Sequence, residues 1–322
     1  MVFGARPRKS GGVRRSTMLV TMGALAARPA IAGAQALTPI TIGSAHGWTL
    51  AEGYIAAAKG FFAAAGLDAT IENAPNGGAM TAALLGGSLE ITCTNIGSIA
   101  DAYAHGLPIA LFAPSTLAIA GQSNTTLAVL RDSSIRTAHD LVGKTIALST
   151  LRDLQHAALL EWLEKNGGDI KATNYVEVNP ANQLEAMKLG RVDAAVMSEV
   201  YSAVGRNDTH VLGRPYEALG PKLMVAGWAA RRDWLAANPV IARKFLSAME
   251  ATARWAAGHQ ADMLPAMHDV TGTDLDTLRQ MGRLFLGDTL DVTEIQPTID
   301  ASAKYGFLPR AFPAAAMIVN VT

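Results

Sequence analysis

Residues 70–101 read TIENAPNGGAMTAALLGGSLEITCTNIGSIAD, and this stretch decides the fold class. Thr70 to Asn73 is a short β-prone run. It breaks at Pro75-Asn76-Gly77-Gly78, where glycine supplies backbone freedom and bare amide groups. The small and apolar residues Ala79 to Leu85 then suit a short helix. The pattern repeats at once: Leu89 to Thr94 is a second β-prone segment, and Asn95-Ile96-Gly97-Ser98 turns it into a helix around Ile99 to Ala104. Strand, polar turn and helix alternate, which predicts an α/β sheet. In such a sheet ligands bind beyond the carboxyl ends of the strands, helped by free N–H groups at the helix starts.

The chain around this stretch has 322 residues, half of them apolar and 17% charged, enough material for a core and, on length, for two domains. Residues 1–36 read as an export signal. Arg6, Arg8, Lys9, Arg14 and Arg15 precede the uncharged run Ser16 to Ala27, and Ala34-Gln35-Ala36 is a small-x-small cleavage site. The run is too short to span a bilayer, which needs about 20 apolar residues. Arg14-Arg15 followed by Ser16-Thr17-Met18-Leu19 partly matches a twin-arginine signal; an ordinary secretory signal fits too.

The whole chain holds 27 basic and 27 acidic side chains, and six of the basic ones but no acid fall within residues 1–36. The remainder therefore carries a net charge of about −6, which argues against nucleic-acid binding. Cys93 is the sole cysteine, so neither an internal disulfide nor a cysteine-based metal cluster forms; it reads as a small buried hydrophobe. Leu37, not a cysteine, follows the cleavage point, so the expectation is a freely soluble periplasmic monomer without a lipid anchor or cofactor.

Toward the amino end, Pro39 to Gly43 makes a first strand with Ser44-Ala45-His46-Gly47-Trp48 as its exit loop. Thr49-Leu50-Ala51-Glu52 fits a capping box for a helix that runs to about Ala65. Beyond the central stretch, strands are predicted at Ile109–Ala113, Leu127–Leu130, Thr145–Ser149, Tyr175–Val178 and Ala194–Met197. Helices fall between them at Leu154–Lys165 and Asn182–Leu189, and another opens at Glu199. After a returning strand, Leu223 to Ala229, the sequence turns helical: Pro239 to Ala257, then about Asp262–Val270, Asp274–Phe285 and Thr293–Tyr305.

An internal echo ties the halves together. Ala83-Leu84-Leu85-Gly86-Gly87-Ser88-Leu89-Glu90 lines up with Ala186-Met187-Lys188-Leu189-Gly190-Arg191-Val192-Asp193, and upstream Ile71-Glu72 matches Val176-Glu177. Two related α/β lobes explain it, though helix–Gly–strand junctions are common in α/β chains.

Lys59-Gly60-Phe61-Phe62, Ala65-Gly66-Leu67-Asp68, Gly78-Ala79, Ala82-Ala83-Leu84, Gly87, Glu90-Ile91 and Ala104-His105-Gly106-Leu107-Pro108 occur in an order that resembles the periplasmic substrate-binding proteins of ABC importers for nitrate, sulfonates and taurine. Asp140 to Ala147, Leu189 to Ala194 and Pro239 to Leu246 extend the resemblance over about residues 40–255. It implies a two-lobed periplasmic-binding-protein fold of type II, with two chain crossovers, hinge closure and a C-terminal helical cap on lobe one. Lobe one would comprise residues 37–125 and 229–322, and lobe two residues 126–228. The implied function is capture of a small polar molecule (sulfonate, nitrate, taurine-like anion or nitrogen heterocycle) for a membrane permease, without chemistry. Relatives of the fold also imply an alternative, a pyrimidine-precursor synthase-like enzyme, and a ligand sensor is a third reading. The chain departs from the family pattern at Arg152-Asp153, where a Gly-Ser turn is usual, and at Glu199-Val200, where Glu-Pro is frequent.

Strand ends and family positions together nominate the ligand contacts. Trp48 serves equally as a pocket wall or as packing, and His46 beside it reads mainly as a surface loop residue. Asn76, Gly77 and Gly78 offer amides to a polar ligand; Asn95 has the same standing one strand on, whereas Gly97 serves the turn. Ser115 and Thr116 are weaker candidates. Arg152 either holds an anion or pairs with Asp153 at the surface, and His156 faces cleft or solvent. Glu199, aligned with Ile96 in the echo, suits an amine or ring nitrogen, or else is an acid favoured at a helix start. Tyr201 accompanies it, and Trp228 is a hinge-side wall or core.

Overall fold

Glu90 and Asp193, the last residues of the echoed octets, do the same work in two separate sheets. Each carboxylate accepts the amide of a threonine on a neighbouring strand: Thr41 at 2.5 Å for Glu90 and Thr145 at 2.9 Å for Asp193. Each acidic residue's own amide in turn donates to that threonine's carbonyl, at 3.0 and 2.8 Å. Upstream in each octet stands a left-handed glycine, Gly87 at φ 80° and Gly190 at φ 64°, the conformation that glycine adopts without a steric penalty. The computed structural model describes residues 36–321 apart from 46, 75, 76, 123 and 124; all but the last residue of the predicted export segment thus lies outside the described residues.

The first sheet is built from β1 (Thr38–Gly43), β2 (Leu67–Glu72), β3 (Ile91–Asn95) and β4 (Ile109–Pro114), with α1 (Glu52–Ala58), α2 (Phe61–Ala64), α3 (Gly77–Leu85) and α4 (Ile96–Ala104) between the strands. The predicted single helix up to Ala65 is interrupted at Lys59-Gly60, where Gly60 takes φ 75°. The chain then leaves along β5 (Thr116–Ile119) and enters the second sheet as β6 (Thr126–Leu130). That sheet adds β7 (Thr145–Leu148), β8 (Asn174–Glu177), β9 (Ala194–Met197) and β10 (Thr209–Gly213), with α5 (Leu154–Lys165), α6 (Pro180–Lys188) and α7 (Glu199–Val204). β11 (Lys222–Met224) returns beside β5, and β12 (Ala226–Arg231) re-enters the first sheet.

The two sheets have one topology. Their orders are β2-β1-β3-β12-β4 and β8-β7-β9-β6-β10. In both, the first three strands run parallel, and the fourth, which has crossed from the other half, lies antiparallel to the third. Strands covered on both faces show as continuous apolar runs: central β9 is buried along its whole length, and so is β4 although it ends its sheet. The crossovers β5 and β11 pair antiparallel in a small third sheet, the hinge between the halves. This is the two-lobed α/β architecture expected, with its two chain crossovers.

The C-terminal part is helical: α8 (Arg232–Ala237), α9 (Pro239–Gly258), α10 (Leu264–Thr271), α11 (Leu275–Gln280) and α12 (Val292–Lys304), with β13 (Phe285–Leu286) interposed. Helix α9 begins with Pro239 and buries Ala242, Phe245, Met249, Ala253 and Ala256 at helical spacing, packing Phe245 against Phe62, Phe112 and Trp228 of the first lobe. The helix predicted over Asp274–Phe285 stops at Gln280, because Phe285 and Leu286 pair with Leu117 and Thr116 in the hinge sheet. Helix α12 joins the first-lobe core through Ile295 and Ile299, and its end also packs on α5 of the second lobe through Ala301 and Phe307.

Candidate functional site

The loops at the carboxyl ends of both sheets face each other across a cleft of about 530 Å³. From the first lobe come the exit of β1 with Trp48 and Thr49, and Asn73 beyond β2. From the second come Asn179 beyond β8, and Ser198, Glu199 and Tyr201 at the start of α7; Thr271 and Thr273 close one end. A second crevice of about 500 Å³ lies between α3 and α4 on one side and the turn Thr150–Asp153 on the other.

Glu199 bridges the lobes at the first cleft. Its Oε2 accepts the Thr49 hydroxyl at 3.0 Å and its Oε1 the Thr125 hydroxyl at 2.8 Å, the latter from the crossover just before β6. The Thr49 carbonyl accepts in turn from the Thr116 hydroxyl at 2.6 Å, which locks the turn leading into α1 to the hinge strand.

The capping box predicted at Thr49 and Glu52 does not form, because both side chains find partners elsewhere in the fold. Thr49 serves Glu199, and Ala51 caps α1 without a side-chain bond. Glu52 is fully buried and accepts the Trp228 indole N–H at 2.7 Å. Burial pushes its carboxyl up to about 8, against the opposing pull of hydrogen bonds from Trp228 and Ser115. A group so placed holds its proton at neutral pH. It ties the first turn of α1, and with it the Trp48–Thr49 wall, to the returning strand β12.

Of the nominated residues, Trp48, Glu199 and Tyr201 meet at the first cleft, Trp48 with only 5% of its surface exposed because its ring packs with Ile55, Met263 and Met267, and Gly78 and Arg152 meet at the second crevice. Gly77 opens α3. His46 and Asn76 lie outside the described residues. Asn95 caps α4, its Oδ1 accepting the Ser98 amide at 2.9 Å. Ser115 and Trp228 lie in the interior at 0% exposure. The Ser115 hydroxyl stands 3.6 Å from the Cys93 thiol, and the Trp228 ring packs edge-on against Phe245; neither residue lines the cleft.

Arg152 and Asp153 do not pair at the surface. Asp153 Oδ1 accepts the His156 amide at 3.1 Å and caps α5. Arg152 takes φ 60°, the left-handed conformation that a glycine at this turn adopts freely. Its guanidinium donates to the carbonyls of Gly306 and Phe307 at 2.7 and 3.3 Å and lies 5.2 Å from the Phe307 ring centre, so that a second-lobe turn grips the chain beyond α12. His156 faces neither cleft nor solvent. Its Nδ1 accepts the Arg152 amide at 3.0 Å, and its ring lies between Tyr175 and Phe307. Burial, with the nearby Arg152 charge, pushes it down to about 4.

Gly97 has a different purpose from the turn proposed for it. It sits inside α4, and a Cβ there would stand 2.7 Å from the Leu154 amide nitrogen. Only a glycine lets the start of α4 touch the start of α5 across the lobes. Sequence reading missed Thr125, and it gave Thr49 a local role; neither threonine carries a signal apart from the partner that the fold brings to it.

Comparison with known proteins agrees with this architecture. None of the curated proteins matches the sequence significantly. Among solved structures, the periplasmic aliphatic sulphonate binding protein SsuA from Escherichia coli superposes with a TM-score of 0.72 at 16% identity, covering 87% of this chain and 97% of its own. The periplasmic nitrate-binding protein NrtA from Synechocystis PCC 6803 gives 0.71 at 15%, covering 87% and 84%. The desulfurization enzyme DSZB shares the fold at 0.64 and 15%, covering 88% and 96%. The family model described as NMT1/THI5 like matches residues 49–263, and the chain belongs to that family.

Proposed function

We propose that this protein is the solute-binding component of an ABC importer. It captures a small polar molecule between lobe one (37–125 and 229–322) and lobe two (126–228) and delivers it to a membrane permease. The observation that carries this reading is the 530 Å³ cleft between the carboxyl ends of two sheets of identical topology, bridged by Glu199. Closure about β5 and β11 buries the ligand, whose contacts with both lobes favour the closed form. Residues 1–36 act as the export signal for the periplasm, and among the described residues no helix is long and apolar enough to cross a membrane. An enzyme on this fold is the rival reading. The sole cysteine gives it little support: Cys93 is fully buried, and burial pushes its thiol well above the ordinary range, away from the thiolate that a nucleophile needs. Thermal-shift and calorimetric screening of small sulfonates, nitrate, carboxylates, amines and nitrogen heterocycles tests the proposal. A single-site ligand that compacts the protein in X-ray scattering supports it; conversion of a bound compound to product refutes it.

A further inference from the structure

The charge of the cleft indicates what it admits. Among the described residues lining it, Glu199 is the one charged side chain; the other polar groups are hydroxyls and amides, Tyr201 supplies aromatic surface, and Trp48 adds an edge of a ring otherwise buried at 5% exposure. The Glu199 carboxylate is held from two separate segments, one oxygen by Thr49 and the other by Thr125. Two hydroxyl donors on opposite oxygens fix the plane of the carboxylate. A carboxylate offers about four acceptor sites, so the two threonines leave room for a ligand's donors. Arg283 adjoins Glu199 in a small neighbouring cavity, but its guanidinium donates to the Ala257 carbonyl at 2.7 Å and lies over the Phe285 ring. In the second crevice the basic side chain is Arg152, spent on the carbonyls of Gly306 and Phe307. A sulfonate or nitrate in the main cleft would therefore lie against a carboxylate with no described basic side chain to offset it.

We infer that the ligand carries an ammonium group, received by Glu199 beside the aromatic rings of Trp48 and Tyr201, and that simple anions are rejected. This rests on the solute-binding reading and narrows its ligand class. Glu199 sets specificity by charge, and Thr49 and Thr125 are positioning residues that aim it. An ammonium near aromatic faces gains further attraction from the ring electrons.

The test uses size-matched probes of opposite charge, propylammonium with propanesulfonate and benzylammonium with benzenesulfonate, titrated calorimetrically into the full chain and its variants. The unsubstituted protein should bind an ammonium member and neither sulfonate. Glu199→Gln should weaken that binding on the order of thirtyfold or more, as expected for a charge pair lost from a desolvated site, and Glu199→Lys should reverse the preference toward the sulfonate. Thr49→Val and Thr125→Val, which keep the carboxylate, should each weaken it severalfold, and they carry the test if either Glu199 variant fails to fold. Binding of a sulfonate that Glu199→Gln leaves unchanged or tightens would overturn the charge inference while leaving the solute-binding reading intact. Binding of neither member of both pairs would overturn the inference, and turnover of a probe would overturn both.

Discussion

Replacing Glu52 with glutamine should abolish a distinct pH dependence of stability. Glu52 Oε2 accepts the Trp228 indole N–H at 2.7 Å, and the residue has 0% exposure. Burial raises its carboxyl from 4.5 in the unfolded chain to about 8 in the fold. A carboxyl with a raised folded value contributes stability that is fully present below pH 4.5. Above it the unfolded chain gives up the proton while the folded one keeps it, so stability falls until the folded group ionises near 8. The slope over that window is about 1.4 kcal/mol per pH unit, and the total is roughly 4–5 kcal/mol, a large share of a typical domain's 5–15 kcal/mol.

Glutamine is the neutral isostere: its carbonyl still accepts from Trp228, and it cannot ionise. Urea unfolding of both proteins at pH 5, 6, 7 and 8, followed by tryptophan fluorescence, gives the difference in unfolding free energy at each pH. All other titrating groups are common to both proteins and cancel in that difference. The wild type should lose ground to Glu52→Gln by about 1.4 kcal/mol per unit. Parallel stability curves would refute the assignment of a buried, protonated Glu52.

Gly97→Ala should hold the lobes apart, since the new Cβ would stand 2.7 Å from the Leu154 amide nitrogen, a backbone atom that cannot swing aside. A cost of about 1–3 kcal/mol to the closed form and a larger radius of gyration in X-ray scattering are expected. Asn95→Ala should cost about 1 kcal/mol of stability by removing the α4 cap, while Asn95→Asp, which keeps a capping oxygen, should restore it in thermal unfolding. Asp153→Ala should cost a similar amount at the start of α5, through the lost acceptor for the His156 amide.

The sheet cores were legible in the sequence because strands buried along their whole length appear as unbroken apolar runs: Ile109 to Ala113 and Ala194 to Met197 need no tertiary information. The edge strand β10, THVLG with two exposed residues, and the two-residue β13 carry no such run and exist through their partners β6 and β5. Thr49 and Glu52 satisfy a local capping pattern, yet longer-range partners win both side chains: Glu199 for the hydroxyl, Trp228 for the carboxyl. At Arg152 the departure from the family's glycine was visible. Its consequence, a left-handed residue whose guanidinium binds the chain beyond α12, depended on a segment 154 residues away.

The duplicated halves separate what builds the fold from what builds the site. Where they agree, Glu90 and Asp193 pin strand to strand, Gly87 and Gly190 make the left-handed turn before them, and none of the four lines the cleft. Where they differ, chemistry enters. Asn95 and Ser198 occupy the same post before the helix that follows the third strand, but Asn95 spends its side chain on the Ser98 amide, whereas Ser198 makes no capping bond and lines the cleft. One residue on, Ile96 is buried in the first-lobe core, and its counterpart Glu199 stands in the cleft. The second lobe has thus exchanged an apolar anchor for a charge at an equivalent position. Changes at Asn95 should accordingly be read out in stability and changes at Glu199 in ligand affinity, and a reversal of those two readouts would mean that the cleft is lined from the other lobe.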